Sequence, residues 1–211
     1  MDFKIEPPKI LTETLETMSI VSFESKEEIS NGVIENVTIE HQEAVRVSME
    51  KMMFRHVTIT ESSLEQIEFT DMVFENCDFS NVNFTTSFIH RTEFRNCKLI
   101  GTNFSQSRLQ NVRFLNCLGD FSNFRFINMK QVSFEDCSLL SADFYTAAHQ
   151  KLNFTRCNMD QMYMVGTKLK GVDLSDCSFD VLTVEADDLD GCMIASHQAS
   201  TFVGLMGMII R

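Results

Sequence analysis

Large apolar residues return at every fifth position through most of this chain. Starting from Ile29 and stepping by five gives Ile34, Ile39, Ala44, Met49, Phe54, Ile59, Leu64, Phe69, Phe74, Phe79 and Phe84, and the phase continues without insertion to Ile194. Along this column only Ala44, Gly119 and His149 are not large and apolar. A second column lies two residues earlier and holds small or branched residues, among them Ser87, Thr92, Thr102, Ser107, Val112, Val132, Ala142, Thr167 and Val172. Residues two apart on extended backbone point the same way, so both columns face one interior. The other three residues of each five are mostly polar and face water. Neither the 3.6-residue helix nor the two-residue strand repeats every five, so each unit must be a short extended piece followed by a turn.

Composition sharpens this picture in two places. Thirteen of the nineteen Phe fall in the first column, and all seven Cys (Cys77, Cys97, Cys117, Cys137, Cys157, Cys177 and Cys192) fall in the second. From Cys77 to Cys177 the Cys recur every 20 residues, which predicts that four five-residue units complete one circuit. The same spacing aligns Phe54, Phe74, Phe94, Phe114, Phe134 and Phe154 in one stack, and Phe84, Phe104, Phe124 and Phe144 in another. Cys at this spacing line a face instead of surrounding one ion, and no Cys-x-x-Cys pair exists, so they read as compact buried residues and not as metal ligands or disulfides.

These units have a family pattern. Cys77-Asp78-Phe79-Ser80-Asn81, Val82-Asn83-Phe84-Thr85-Thr86, Thr102-Asn103-Phe104-Ser105-Gln106 and Ala142-Asp143-Phe144-Tyr145-Thr146 each place a small residue, a polar residue, Phe, then two more residues, polar but for Tyr145. The chain thus resembles the pentapeptide repeat proteins over residues 29–194. The resemblance implies an all-β fold, a right-handed quadrilateral parallel β-helix. About eight coils spaced ~4.8 Å apart would make a rod of roughly 40 Å, in which each coil touches only its neighbours and the ends need caps.

Three segments follow: an N-terminal cap (1–28), the repeat β-helix (29–194) and a C-terminal cap or dimerisation segment (195–211). Pro7-Pro8 and the stretch Glu13–Met18 predict a short turn or helix over the first coil. Gln198–Met206 predicts a short C-terminal helix stopped by Gly207. Beyond it, Met208-Ile209-Ile210 is too apolar to leave in water, and Phe202, Leu205, Met206, Met208, Ile209 and Ile210 are the expected contact with a second copy. The order Gln198-Ala199, seven residues, Gly207, apolar end resembles the C-terminus of the Qnr group and its mycobacterial relative MfpA. That resemblance implies a homodimer joined at the C-terminus that binds DNA gyrase and topoisomerase IV by imitating duplex DNA, inhibiting them or reducing quinolone action. Many Qnr proteins carry loops between repeats; the unbroken count here leaves no room for them, which places the chain nearer the loop-free MfpA. The competing expectation is a generic repeat scaffold for some other protein, because a fold does not specify its partner.

Charge bears on that choice. Thirty acids against 18 bases give a net charge of -12, which argues against direct nucleic-acid binding and against an anionic membrane surface. The acidity is uneven: residues 1–50 carry 11 acids and 4 bases, 91–170 carry 6 and 11, and 171–211 carry 7 and 1. Asp173, Asp176, Asp180, Glu185, Asp187, Asp188 and Asp190 are therefore the expected partner-binding acidic surface, fourteen carboxylates in a C-terminal dimer. The basic stretch with Arg91, Arg95, Lys98, Arg108 and Arg113 does not fit a DNA mimic and points to an acidic contact on a partner.

The remaining signals are bland. His149 in the apolar column reads as a local irregularity or a satisfied buried His, and the gap at Gly119 as one that Leu118 or Phe121 fills. Asn36, Asn83, Asn103 and Asn153 head Asn-x-Ser/Thr sequons that are by-products of the repeat. Asp187–Gly191 lacks the closing Glu of a calcium loop. There is no nucleophile elbow or Gly-rich phosphate loop, and His41, His56, His90, His149 and His197 are scattered. No enzyme activity, cofactor or metal is expected. The start of the chain has no apolar signal core and no stretch approaches the ~18 residues a membrane span needs, so a cytoplasmic protein is expected.

Overall fold

The computed structural model describes residues 4–11 and 15–209. It is a β-solenoid of about eight turns. Parallel ladders join residues 20 apart, as in Phe74↔Phe94, Phe94↔Phe114 and Phe114↔Phe134, so four units do close one circuit. Four faces result. The first stacks Phe54 through Phe154, the second Phe79, Leu99, Gly119 and Leu139, the third Phe84 through Phe144, and the fourth Phe69, Ile89, Leu109, Met129 and His149. Strands of eight residues (Glu68–Glu75, Phe88–Arg95, Arg108–Leu115, Asn128–Glu135, Ala148–Thr155) each cover the fourth face and then the first. The second and third faces are joined mostly by single bridges, such as Asp78↔Lys98 and Asn103↔Asn123.

The turn comes from one residue in every five. From Lys26 to Gly171 each fifth residue is left-handed, for example Asn76 at φ 54°, Gln106 at 60° and Gly101 at 66°. Such backbone costs an ordinary residue roughly 1 kcal/mol, and the fold offsets this with ladder bonds: Asn76 N–H donates to Arg95 O at 2.9 Å and Asn81 N–H to Ile100 O at 2.8 Å. Asn recurs at these corners because its short polar side chain tolerates the region.

Inside, the rings stack in register. Phe94–Phe114 and Phe114–Phe134 have centroids 4.9 and 4.6 Å apart with planes within 7° and 3°, while rings on adjacent faces meet edge to face, as Phe124 and Phe134 do at 84°. The Cys column does more than fill space. Cys117 Sγ donates to Phe94 O at 3.4 Å and Cys157 Sγ to Phe134 O at 3.3 Å. Thr102 and Ser107 use hydroxyls for the same carbonyl on neighbouring faces, at 2.8 and 3.0 Å. Hydrogen bonding to the neighbouring thiol, with burial, pushes Cys137 and Cys157 up to about 12, so these thiols stay protonated and inert.

Three interior details depart from expectation. Gly119 is filled by Leu139 of the next coil, whose Cδ2 would lie 3.0 Å from an added Cβ, whereas Leu118 and Phe121 point outward because they occupy an outward position and a corner. His149 is only half-buried; its Nε2 meets Lys168 O at 2.6 Å, but its Nδ1 is buried without a partner, so of the two readings the satisfied His fails and the local irregularity stands. The N-terminal segment forms no helix in its described part. Glu16–Thr17 is a strand that pairs in parallel with Gly32–Val33, and Phe23 is buried in the core, with Met18 and Ile20 packed against it. Thr12, Glu13 and Thr14 lie outside the described residues.

Upstream of that strand the chain runs back along the outside of the rod. Gln131 donates to Lys4 O at 2.6 Å, Glu6 N–H donates to Asn111 Oδ1 at 3.2 Å, and Lys9 N–H to Asp71 Oδ1 at 2.9 Å. Ile10 and Leu15 pack on Val33, Met53 and Val73. This arm straps several coils together along the corner between the fourth and first faces. At the other end the left-handed corners lapse at Asp176, Val181 and Ala186. The helix Ala199–Val203, flanked by single 3₁₀ turns, closes the solenoid and ends at left-handed Gly207 (φ 72°). Gln198, buried, caps the open end by donating to Leu174 O at 2.9 Å and Cys177 O at 2.8 Å.

Candidate partner-binding surfaces

The acidic set at the C-terminal end divides by environment. Asp173, Asp176, Asp180, Glu185, Asp187 and Asp190 are exposed. Asp188 is not; only 1% of it is accessible. The 3₁₀ turn Ala186–Asp188 carries its carboxylate inward, where it accepts from Gly166 N–H at 2.9 Å, Glu185 N–H at 3.2 Å and Lys168 Nζ at 3.0 Å. Burial acts to raise its pKa, but these donors outweigh burial and hold the carboxyl below the usual range. Asp188 is thus a structural residue and leaves the surface set. Asp190 faces Lys170 at 3.6 Å, an open pair of little energy. Hydrogen bonds from Ser175 hold Asp173 below the usual range as well.

The six exposed carboxylates do not form a stripe. Register places Asp173 on the first face, Asp176 at the next corner, Asp180 on the second, Glu185 on the third, and Asp187 and Asp190 beside the fourth. They ring the last coil. One coil rises ~4.8 Å, a length over which duplex DNA carries about three phosphates, so the last coil by itself presents more carboxylates than DNA of that length presents phosphates.

The tail lies beside that ring. A groove is lined by Asp187, Asp190, Leu189, Phe202 and Leu205. Phe202 packs inward on Phe179 with ring centroids 5.8 Å apart, while Leu205, Met208 and Ile209 are 43%, 52% and 88% exposed. Met206 closes the last 3₁₀ turn, and Ile210 lies outside the described residues.

The basic middle acquires a physical account. Arg91 grips Asp71 with both Nε (2.6 Å) and Nη2 (2.7 Å). Arg95 pairs with Glu93, Lys98 with Asp78 and Arg113 with Glu93 and Glu135. Arg125 and Arg156 reach Asp143 and Asp136, in both cases across adjacent coils. Most of these charges therefore tie the solenoid to itself; Arg108 has no ion pair among the described residues. Asp71 and Asn111 are buried where the N-terminal arm bonds to them, and Glu93 is buried beside Arg95 and Arg113. No sequence signal foretold that burial, because the arm meets residues 62 to 105 positions away.

Comparison with known proteins agrees with the repeat. A family model described as a pentapeptide repeat region matches residues 67–144 and 127–199, together more than half of the chain. Among curated proteins no sequence matches. Similar solved structures include full-length QnrB1, a plasmid-mediated fluoroquinolone resistance protein, at 12% identity and TM-score 0.44 over 86% of this chain and 99% of that one. A trypsin-treated QnrB1 is 17% identical with TM-score 0.41, covering 93% and 95%. HetL, a pentapeptide repeat protein involved in heterocyst differentiation regulation from Nostoc sp., is 11% identical with TM-score 0.37, covering 80% and 85%. Among the described residues no helix is long and apolar enough to cross a membrane.

Proposed function

Because the chain belongs to the pentapeptide repeat family, whose solenoids present surfaces instead of reaction centres, we propose that it acts as a DNA-shaped protein ligand of type II topoisomerases, DNA gyrase and topoisomerase IV. The observation that carries this reading is the ring of six exposed carboxylates next to an exposed apolar tail. Two copies joined through Leu205, Met208 and Ile209 would bring twelve carboxylates to the middle of one long rod. Such a rod offers a basic DNA-binding saddle a charge density that competes with DNA. Its effect is inhibition of the enzyme, and with it a reduced yield of quinolone-trapped cleavage complexes.

Supercoiling by purified gyrase, titrated with the protein with and without ciprofloxacin, tests it. Inhibition at stoichiometric protein is expected, weakened at least about tenfold when Asp173, Asp176, Glu185 and Asp187 become Asn or Gln, an effect that high salt imitates. Unchanged supercoiling and unchanged cleavage at saturating protein would end the proposal. Sedimentation of the Leu205→Asp, Ile209→Asp variant is expected to show half the wild-type mass; equal masses would remove the dimer from it.

A further inference from the structure

The second and third faces carry a surface that the acidic ring does not use. Phe121 and Phe126 occupy left-handed corners, with φ 59° and 56°, and are 60% and 51% exposed. Equivalent corners on adjoining coils hold Asn81, Gly101, Ser141, Gln106, Thr146 and Gly166. A bulky aromatic residue at such a corner is strained, and here no burial offsets the strain. Two of them in succession ask for another cause.

Their surroundings supply one. Leu118 stands 44% exposed on the second face. On the third, Phe126 meets Tyr145 edge to face at 5.4 Å, Tyr145 lies 6.0 Å from Tyr163, and the Arg125 guanidinium is 4.5 Å from the Tyr145 ring. These side chains hold one another in place before any partner arrives, which lowers the entropy cost of binding. On the second and third faces themselves the unpaired charge is acidic, and the unpaired bases Arg108 and Lys130 stand on the fourth face, beyond the Phe126 corner. The two basic groups on these faces, Lys98 and Arg125, are paired with Asp78 and Asp143. Asp120 and Asp160 have no ion pair among the described residues. Asp120 and Asp160 are fixed by backbone N–H donors from Leu140 and from Asp180 and Val181, at 2.8 to 3.0 Å, and those of Val181 and Asp180 hold Asp160 below the usual carboxyl range.

We infer that this ridge is a docking surface for a protein segment whose apolar side chains are flanked by Lys or Arg. The aromatic corners supply the apolar anchor, and the unpaired carboxylates supply the complementary charge. A nucleic acid is repelled by the same carboxylates. This surface is separate from the ring of charge at the C-terminal end and does not depend on DNA mimicry.

The test uses a fluorescein-labelled peptide of alternating Leu and Lys, and its counterpart with Glu in place of Lys, titrated into the full chain. The variant Phe121→Asn, Phe126→Asn keeps the fold because Asn suits left-handed corners, and its Tm is expected to rise by about 2–4 °C. Expected is binding of the Lys peptide, a loss of about tenfold or more in affinity in that variant, and no binding of the Glu peptide. A Asp173→Asn, Asp187→Asn variant keeps its affinity, which separates this ridge from the acidic ring. Equal affinity of the Lys peptide for wild type and the Phe variant would overturn the inference, as would equal binding of both peptides. A concentration-dependent mass in sedimentation that the Phe variant abolishes would instead identify the occupant as a second copy.

Discussion

The two long sides of this rod share one interior and carry opposite exteriors. On the first and fourth faces lie Arg95, Arg108, Arg113, Lys130, Lys168 and Lys170, with Arg91 and Lys151 at the corner between them; eight-residue strands run across both faces, and the N-terminal arm lies over that corner. On the second and third faces lie exposed aromatic and aliphatic side chains among unpaired carboxylates, joined by single bridges. The difference teaches that a basic stretch in a sequence need not be a binding surface. Here Arg91, Arg95 and Arg113 are paired with the coils' own carboxylates beside a strap that binds through its backbone, and the exposed aromatic surface is on the other side.

Whether the interior is as symmetric as the exterior is not can be broken most forcefully at the stacked rings. Phe114→Ala on the first face and Phe124→Ala on the third are each expected to cost about 3–5 kcal/mol in urea unfolding, because both rings are fully enclosed between neighbours 4.5 to 5.2 Å away. A cost on one face several times that on the other would show that the strapped side, and not the stack, carries the stability.

Next in size is the ion pair under the arm. Asp71 is 1% exposed; burial acts to raise its pKa, yet Arg91 and the Lys9 N–H hold the carboxyl below the usual range. Arg91→Ala leaves that charge buried with one donor fewer and is expected to cost about 3 kcal/mol at pH 7. A carboxyl with a depressed folded pKa adds stability that is full above its unfolded value of about 4 and is lost as pH falls through the folded value. The gap between wild type and Arg91→Ala should therefore narrow from pH 7 to pH 3; a constant gap would mean that the Arg91 chain acts by packing alone. Removal of residues 1–11 is expected to cost less, about 2 kcal/mol, since it withdraws the Ile10 packing and the Lys9 and Glu6 N–H bonds. Unchanged unfolding would make the strapped side equivalent to the bare one.

How much of this was legible in the sequence depends on the range of the interaction that fixes each feature. The five-residue phase from Ile29 to Ile194 and the 20-residue Cys spacing are repeats of one local conformation, so they show in a single chain and predict the solenoid and its ladders, while the terminal helix showed separately in the Gly207 stop. The sidedness of charge was present in the numbering, since Arg108, Lys130 and Lys168 fall beside Leu109, Met129 and Leu169, but it appears only once the chain is wrapped in twenties. The burial of Asp71 and Asn111 was not legible, because a distant arm bonds to them. Asp188 was misplaced for a local reason: the corners lapse at Asp176, Val181 and Ala186, and a 3₁₀ turn then sends inward a residue that the phase places outward.

The smallest expected effect concerns the column two residues before each ring, where one side of the interior uses thiols and the other hydroxyls. Cys117 Sγ reaches Phe94 O at 3.4 Å, and Ser107 Oγ reaches Phe84 O at 3.0 Å, one coil back in each case. The carbonyl is buried and needs a donor, while the thiol donates weakly but is otherwise apolar. Cys117→Ser keeps a donor, shortens the bond and loses some apolar contact, so its cost should stay below about 1 kcal/mol. Cys117→Ala removes the donor, leaves Phe94 O without it, and should cost about 1–2 kcal/mol. If unfolding shows Ser as costly as Ala, the column is selected by volume and sulfur contact, and the equivalence between the thiol and hydroxyl corners fails.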